Sequence, residues 1–403
     1  MGTPIQSEQR RLGFKAAMVL FSVVIALVFG EIALRIMTPA KKEFMIWPPN
    51  MHHVFRPDPQ IMPGHSAEAR FASNSRGLRG PELGPESEAR VLAIGGSTTE
   101  CLYIDETSAW PLRLAKLLTT PGRAVWSASA GLSGMNSSDH VLHAKFLVPQ
   151  LPRLDVVLAL MGVNDVAVAL GSPEHYAPMP ADVSAQDSET ALRRAFQQVP
   201  GRLENSWDYD ASALKQLALY QLLRRVKIGH SRDLAAHNIT NDASGKSILN
   251  WRANRQRASQ MIDALPDLTP QLAVYRKNLM TFVDLITERK VRLILLTQPT
   301  LWRADLNDAE QKAIWMGGKG DFMHNAGLPY YTASALAAAM VKFNEVTLSV
   351  CKERGLTCVD LANMIPKDLE NFYDDCHFGW HTSERIADIV ADAIKKGAPF
   401  AND

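Results

Sequence analysis

The chain has 403 residues, 46% hydrophobic and 21% charged, which is ordinary globular usage and excludes a wholly disordered or collagen-like chain. Lys plus Arg number 43 against 42 for Asp plus Glu, a net +1, so no bulk field draws the protein to nucleic acid. Four cysteines cannot staple a chain this long, and no solenoid or propeller repeat is present.

The first predicted element is a membrane span. Ala16 to Gly30 carries no charge and follows Arg10, Arg11 and Lys15. A spanning helix needs about 20 apolar residues, a length reached by extending the segment over Phe14–Met37. Glu31 and Arg35 then stand four apart on one helical face, where they can pair or snorkel. The expectation is a cytoplasmic tail over 1–13, a signal anchor over 14–37 and a folded mass across the membrane, periplasmic or extracellular. A cleaved signal peptide ending near Thr38-Pro39-Ala40 and a buried core helix are the alternatives. Lys41 and Lys42 follow the span and weaken the charge bias that orients it.

Residues 38–89 are rich in Pro and Gly, with Trp47-Pro48-Pro49 and Arg56-Pro57-Asp58-Pro59. They read as an irregular stalk and lead-in, with a hairpin near Ala67–Ser73. From Arg90 short apolar runs alternate with amphipathic helices. Strands are predicted at Val91–Ile94, Ala124–Ala128, Val156–Met161, Leu293–Thr297 and Thr357–Leu361. Helices are predicted near Ala109–Leu118, Ser137–Phe146, Gln271–Arg289, Ser334–Arg354 and Ser383–Lys395. This alternation means a mainly parallel sheet covered on both faces, a domain over 90–398. It fails over about 171–269, which reads as a largely helical insertion. Its aromatics Trp207, Tyr209, Tyr220 and Trp251 suit a small core of their own first, and stacking on sugar rings second.

Chemistry-bearing residues follow the predicted strands. The first strand runs into Gly95-Gly96-Ser97-Thr98-Thr99-Glu100, a serine on a tight turn at the carboxyl end of the sheet, where open α/β folds place their sites. Its own amide starts a helix and can help to hold an oxyanion. No Gly-x-Ser-x-Gly elbow and no phosphate-loop lysine is present. The second strand leads into Ser129-Ala130-Gly131-Leu132-Ser133-Gly134, the third into Gly162-Val163-Asn164-Asp165. Asp374-Asp375-Cys376-His377 stands just before the last helix. Singly these are turns, helix caps and self-satisfied loop pairs. Together they supply a nucleophile, two further oxyanion donors, and a base with its orienting acid.

That order resembles the SGNH (GDSL-type) hydrolase superfamily over roughly Arg90 to Lys395, the insertion apart. Gly95-Gly96-Ser97 matches its first block with Gly in place of the middle Asp. Gly134 best matches the second-block glycine, with Gly131 as neighbouring candidate, and the Gly-x-Asn-Asp block is intact at Gly162–Asp165. Phe71 to Gly80 is similar to the lead-in of membrane-anchored members. The resemblance implies a three-layer α/β/α sandwich on a five-stranded, flavodoxin-like sheet, preceded by the transmembrane helix. It implies a catalytic triad of Ser97, Asp374 and His377, with an oxyanion hole of Ser97, Gly134 and Asn164, and no cofactor or metal. A His377–His381 metal pair is the weaker reading, because no motif supplies further ligands. His52 with His53, and His140 with His143, are expected on a helix or loop surface.

The expected activity is hydrolysis of O-acyl esters, O-acetyl above all, of a cell-envelope or exported glycan. The alternatives are an acyltransferase acting on a polysaccharide, a lipase-like acylhydrolase and a non-catalytic glycan-binding scaffold. Partners are then an acylated carbohydrate or lipid ester and the membrane. Bringing Ser97 to His377 also brings Cys101 near Cys376, a candidate disulfide. Cys351 and Cys358 form a second candidate pair. The rival expectation is four small buried thiols.

Overall fold

A computed structural model describes residues 4–37, 44–85, 88–183, 189–196, 220 and 244–397. The chain divides into two compact units, 1–43 with 198–235 and 44–197 with 236–403. In the first unit, α1 spans Pro4–Met37, and its segment Gly13–Leu34 is 22 residues of mean hydropathy 2.5 with none of it buried. A helix this long, apolar and exposed suits a signal anchor or a signal sequence rather than a core.

The second unit is built on five parallel strands: β3 (Ala89–Gly95), β4 (Val125–Gly131), β5 (Val156–Leu160), β7 (Arg292–Leu296) and β9 (Thr357–Val359). Their order is β4-β3-β5-β7-β9. β3, β4 and β5 are buried along their whole length, so the sequence shows continuous apolar runs in place of alternation. One face is covered by α3 (Trp110–Leu118) and the last helix, Trp380–Lys396. In α3, Trp110, Leu114 and Leu118 recur at a spacing of four and point inward, each stabilising by roughly 1.5–3 kcal/mol. The other face carries α4 (Ser137–Leu142), α5 (Val163–Gly171), and the helices Thr269–Thr287 and Ala333–Arg354. Asn136 and Asp139 form a capping box that starts α4. Gly355, at φ 63°, ends the helix Ala333–Arg354.

The register aligns the site. Gly95 lies opposite Gly131 on one side and Leu160 on the other, so the turns leaving β3, β4 and β5 emerge side by side. Strand order reverses between β3 and β5, which makes this edge the topological switch point.

Residues 44–85 do not form a stalk. Phe44, Met45, Ile46, Trp47, Met51, Phe55, Ile61 and Met62 are all buried within the unit. β1 (His52–Phe55) pairs antiparallel with β2 (Ala69–Ala72), so the hairpin partner lies upstream of the predicted stretch and His52 and His53 sit on a strand. Asn74 closes the next turn, accepting from the Arg76 and Leu78 amides at 3.0 and 3.1 Å. Gly77, at φ 69°, allows that turn to approach Trp47. Arg79 is buried, pairs through its backbone with Ser129 of β4, and donates to the carbonyls of Glu100, Cys101 and Ile104 at 2.6–2.7 Å. Proline and glycine mark a loop equally whether it hangs free or wraps a core; the interspersed apolar residues decide.

Other expectations also change. His140 and His143 are fully buried, because the helix Thr269–Thr287 and the helix Glu189–Ala195 pack over α4. The second candidate pair, by contrast, is present: Cys351 and Cys358 are joined by a disulfide with Cα atoms 6.1 Å apart. Cys101 and Cys376 are free buried thiols, not a bridge. The Cys101 thiol turns back to the Thr98 carbonyl at 3.4 Å, whereas that of Cys376 faces its own neighbour, His377 Nδ1, at 3.9 Å. Of the insertion, the helices Glu189–Ala195 and Lys246–Gln256 are described, as is β6 (Met261–Ile262), which pairs parallel with β8 (Tyr330–Tyr331). Trp207 and Tyr209 lie outside the described residues.

Candidate active site

β3 stops at Gly95, and Ser97 opens the one-turn helix α2 (Ser97–Glu100). A Cβ on Gly95 would fall 2.4 Å from the Leu160 carbonyl, so only glycine fits where the two strand ends converge. Cys101 ends the turn in the left-handed conformation, φ 54°. The result is a short, tightly held elbow that presents Ser97 at the sheet edge.

His377 reaches it from the loop before the last helix. Its Nε2 lies 2.7 Å from Ser97 Oγ, and its Nδ1 lies 2.8 and 2.9 Å from the two Asp374 carboxylate oxygens. Asp374 also accepts from the amides of Cys376 and His377 and from Trp315 Nε1 at 3.0 Å. Burial alone raises the Asp374 carboxyl; the facing imidazole and these hydrogen bonds outweigh it and hold it at about 2. Burial alone lowers His377, and the Asp374 charge outweighs that too, holding the imidazole well above its usual value. The carboxylate thus stays ionised and the ring is a strong base.

Asp375, the next residue, has a different task. It accepts from Trp302 Nε1 at 2.7 Å and from the Trp315 and Met316 amides at 2.7 and 3.0 Å. The adjacent carboxylates therefore pin one segment, 302–316, against the His377 loop. That segment follows β7, and its tryptophans carry no site pattern in sequence. The Asp-Asp doublet is the only visible signal of it.

Asn164 stands in the first turn of α5. Gly162 begins that turn at φ 128°, and Asp165 accepts from the Ser137 amide and from Tyr176 Oη at 2.9 and 2.6 Å, fixing α5 to α4. One Asn164 Nδ2 hydrogen goes to the Met135 carbonyl at 2.8 Å. The amide stands beside the nucleophile turn, 2.6 Å from where a Cβ on Gly96 would lie. The Gly131 amide is spent on Ser129 Oγ at 3.0 Å. Gly134, exposed at φ 79° and open on its Cβ side, is three residues further along the same turn. The two candidate glycines thus differ: the Gly131 amide is committed to Ser129, and Gly134 lies at the exposed end of the turn.

Beside Ser97 and His377 lies a pocket of about 120 Å³, lined mostly by apolar atoms of Leu102, Ile104, Ile248, Trp251, Tyr373 and Phe378. Ile248 and Trp251 come from the insertion helix Lys246–Gln256. Arg252 fastens this helix to the Tyr373 carbonyl at 2.6 Å, and Arg255 fastens it to the Met316 and Tyr331 carbonyls at 2.5 and 2.9 Å. Trp251 packs on Trp315 with ring centroids 4.6 Å apart. Asp374, Cys376 and His377 place one potential ligand atom each within 4.8 Å, but the carboxylate and the ring are already engaged with each other and with Ser97. His381 is exposed and stacks on Trp380, away from any such cluster.

Residues 93–389 match the GDSL-like lipase/acylhydrolase family. Among solved structures, the chain is similar to an α/β hydrolase from the metagenome of Lake Arreo, at 14% identity and TM-score 0.36, covering 76% of this chain and 94% of that one. It is similar to the aryl esterase of M. smegmatis at 10% identity and TM-score 0.39, covering 76% and 98%. A carbohydrate acetylesterase from Sinorhizobium meliloti aligns at 11% identity and TM-score 0.34, covering 76% and 99%. No curated protein sequence matches the chain.

Proposed function

Since the chain belongs to the GDSL-like lipase/acylhydrolase family and is an ester hydrolase, we propose that it removes short O-acyl groups, acetyl above all, from a cell-envelope or exported glycan through an acyl-enzyme on Ser97. The observation that carries this reading is His377 Nε2 at 2.7 Å from Ser97 Oγ, with Asp374 on the other ring nitrogen.

Ser97 Oγ attacks the ester carbonyl carbon while His377 takes its proton. Asp374 keeps the imidazole in the required tautomer and stabilises the imidazolium. Charge on the carbonyl oxygen meets the Ser97 amide, the Gly134 amide and the unspent Asn164 Nδ2 hydrogen. Collapse expels the alkoxide, which recovers the proton from His377. Water then enters, gives its proton to His377, and releases the acid from Ser97.

The small apolar pocket supports a short acyl group, since clefts that take drug-sized ligands run to about 300–1,000 Å³. The apolar helix supports an anchored enzyme with Phe14–Met37 in the membrane, residues 1–13 in the cytoplasm and the catalytic unit outside. An acetylated oligosaccharide, incubated with enzyme and analysed by mass spectrometry, should lose 42-dalton acetyl units, about one mass step per ester cleaved, and the Ser97→Ala variant should leave it intact. Acetyl transfer onto an added acceptor glycan in place of free acetate would make sugar, not water, the acceptor. Carbonate-washed membranes should retain the full chain; a soluble product starting near Lys41 would mean a cleaved signal.

A further inference from the structure

Glu100 ends the nucleophile turn and is 2% exposed, an unusual place for a carboxyl group unless it is bonded. Its carboxylate accepts hydrogen bonds from the Ser133 hydroxyl and from the Ser133 backbone amide. Ser133 immediately precedes Gly134, on the turn that leaves β4. The same turn is braced from behind: Ser129 Oγ donates to the Thr99 carbonyl at 2.8 Å, and a Cβ on Gly131 would lie 2.2 Å from the Glu100 amide. Beyond Gly131, the side chain of Glu100 is the bond that reaches forward to the exposed part of the turn.

We infer that Glu100 is a positioning residue: by accepting from Ser133 it fixes the Ser133–Gly134 turn to the end of the nucleophile helix and so holds the Gly134 amide where the oxyanion forms. The inference rests on the proposed role of Gly134. Ser97 and Gly134 come from different strands, and an oxyanion hole is effective only when its donors are preset. Ser129 joins those two pieces at the strand end, and Glu100 joins them at the Ser133–Gly134 part of the turn.

The charged and titratable groups facing Glu100 are Arg79 from the lead-in, His377 from the base loop and the Cys101 thiol. Arg79 spends its guanidinium on backbone carbonyls, and burial pushes the Cys101 thiol up to about 11, leaving it neutral. Burial pushes Glu100 up to about 7, against the pull of Ser133 and of the Arg79 and His377 charges. The bond is therefore strongest above neutrality, where the carboxylate is ionised, and weakens below it.

Steady-state kinetics on p-nitrophenyl acetate test this. Glu100→Ala should lower kcat about 10-fold, and Ser133→Ala, which keeps the amide bond, about threefold, each with KM within about twofold, the loss of charge-assisted bonding acting on the transition state. The double variant should be no worse than Glu100→Ala alone, because both remove the same interaction. Glu100→Gln keeps an acceptor without the charge and should recover kcat to within about threefold, removing the Glu100 contribution near pH 7 while the rise set by His377 remains. If Glu100→Ala does not fold, Ser133→Ala and Glu100→Gln decide the matter. Wild-type kcat in Ser133→Ala, a change in KM alone, or multiplicative losses in the double variant would overturn the inference. Asn164→Ala separates the two levels: if it too keeps full kcat the oxyanion reading falls, and if it alone loses activity only the role of Glu100 falls.

Discussion

Two histidine clusters in the catalytic unit use the same residue types to opposite effect. At the sheet edge, His377 lies between Ser97 and the Asp374 carboxylate, and that charge holds its affinity for protons high. Behind the sheet, His140 on α4 and His143, just past its end, face each other with their Nδ1 atoms 3.4 Å apart. His143 reaches the Ala195 carbonyl at 2.6 Å, and His140 Nε2 has no partner among the described residues. Burial holds His143 at about 4 and His140 well below its ordinary value. The nearby Asp139 caps α4 and pairs with Arg194 at 2.7 Å, so it offers these rings no free charge. Burial makes a histidine inert; a carboxylate with no other cation beside it makes it a base.

Breaking that carboxylate should have the largest effect. Asp374→Asn should lower kcat by about 10⁴, because the imidazole loses its tautomer and its charge partner. The sign of the pH response follows from the same contact. Catalysis needs neutral His377, and Asp374 holds its pKa above the usual ~6.5, so wild-type kcat/KM should climb through and beyond neutral pH. In Asp374→Asn burial dominates, and the remaining activity should keep its plateau to lower pH. A pH–rate series on both proteins checks this.

Removing Asn164 sharpens the comparison from the other side of the ester. Asn164→Ala should cost about 10²–10³ in kcat with the fold unchanged by circular dichroism, the usual loss for one oxyanion donor. Trp315→Phe removes a single hydrogen bond to Asp374 and should cost about 10-fold in kcat/KM. The smallest effect is expected at the inert cluster. His140→Leu replaces a buried, half-satisfied ring by an apolar side chain and should leave activity within about twofold and stability within about 1 kcal/mol, measured by urea unfolding.

What could be read from sequence follows the same division. Strands buried on both faces and helices with four-residue apolar spacing declare themselves, and Ser97, Asn164 and the Asp374–His377 pair fall at strand ends or in one short loop. The family resemblance then assigned their roles. The choice between Gly131 and Gly134 needed the hydrogen bond that occupies one of the two amides. Trp315, Arg79 and Glu100 were invisible because their roles come from partners 59, 21 and 33 residues away, and no local spacing encodes such contacts. The lead-in was misread for a related reason. Composition distinguishes loop from helix, yet only packing distinguishes a free loop from one folded against the core. Nothing local to His140 and His143 marks them as buried. They are buried under the helix Thr269–Thr287, which arrives more than a hundred residues later.

The central claim is that His377 and Asp374 make Ser97 the nucleophile. A fluorophosphonate probe reacted with the full-length protein and mapped by peptide mass spectrometry tests it most directly. One adduct is expected, on Ser97, abolished in Ser97→Ala and slowed by orders of magnitude in Asp374→Asn. Labelling that persists in Ser97→Ala, or an adduct on another serine, would contradict it.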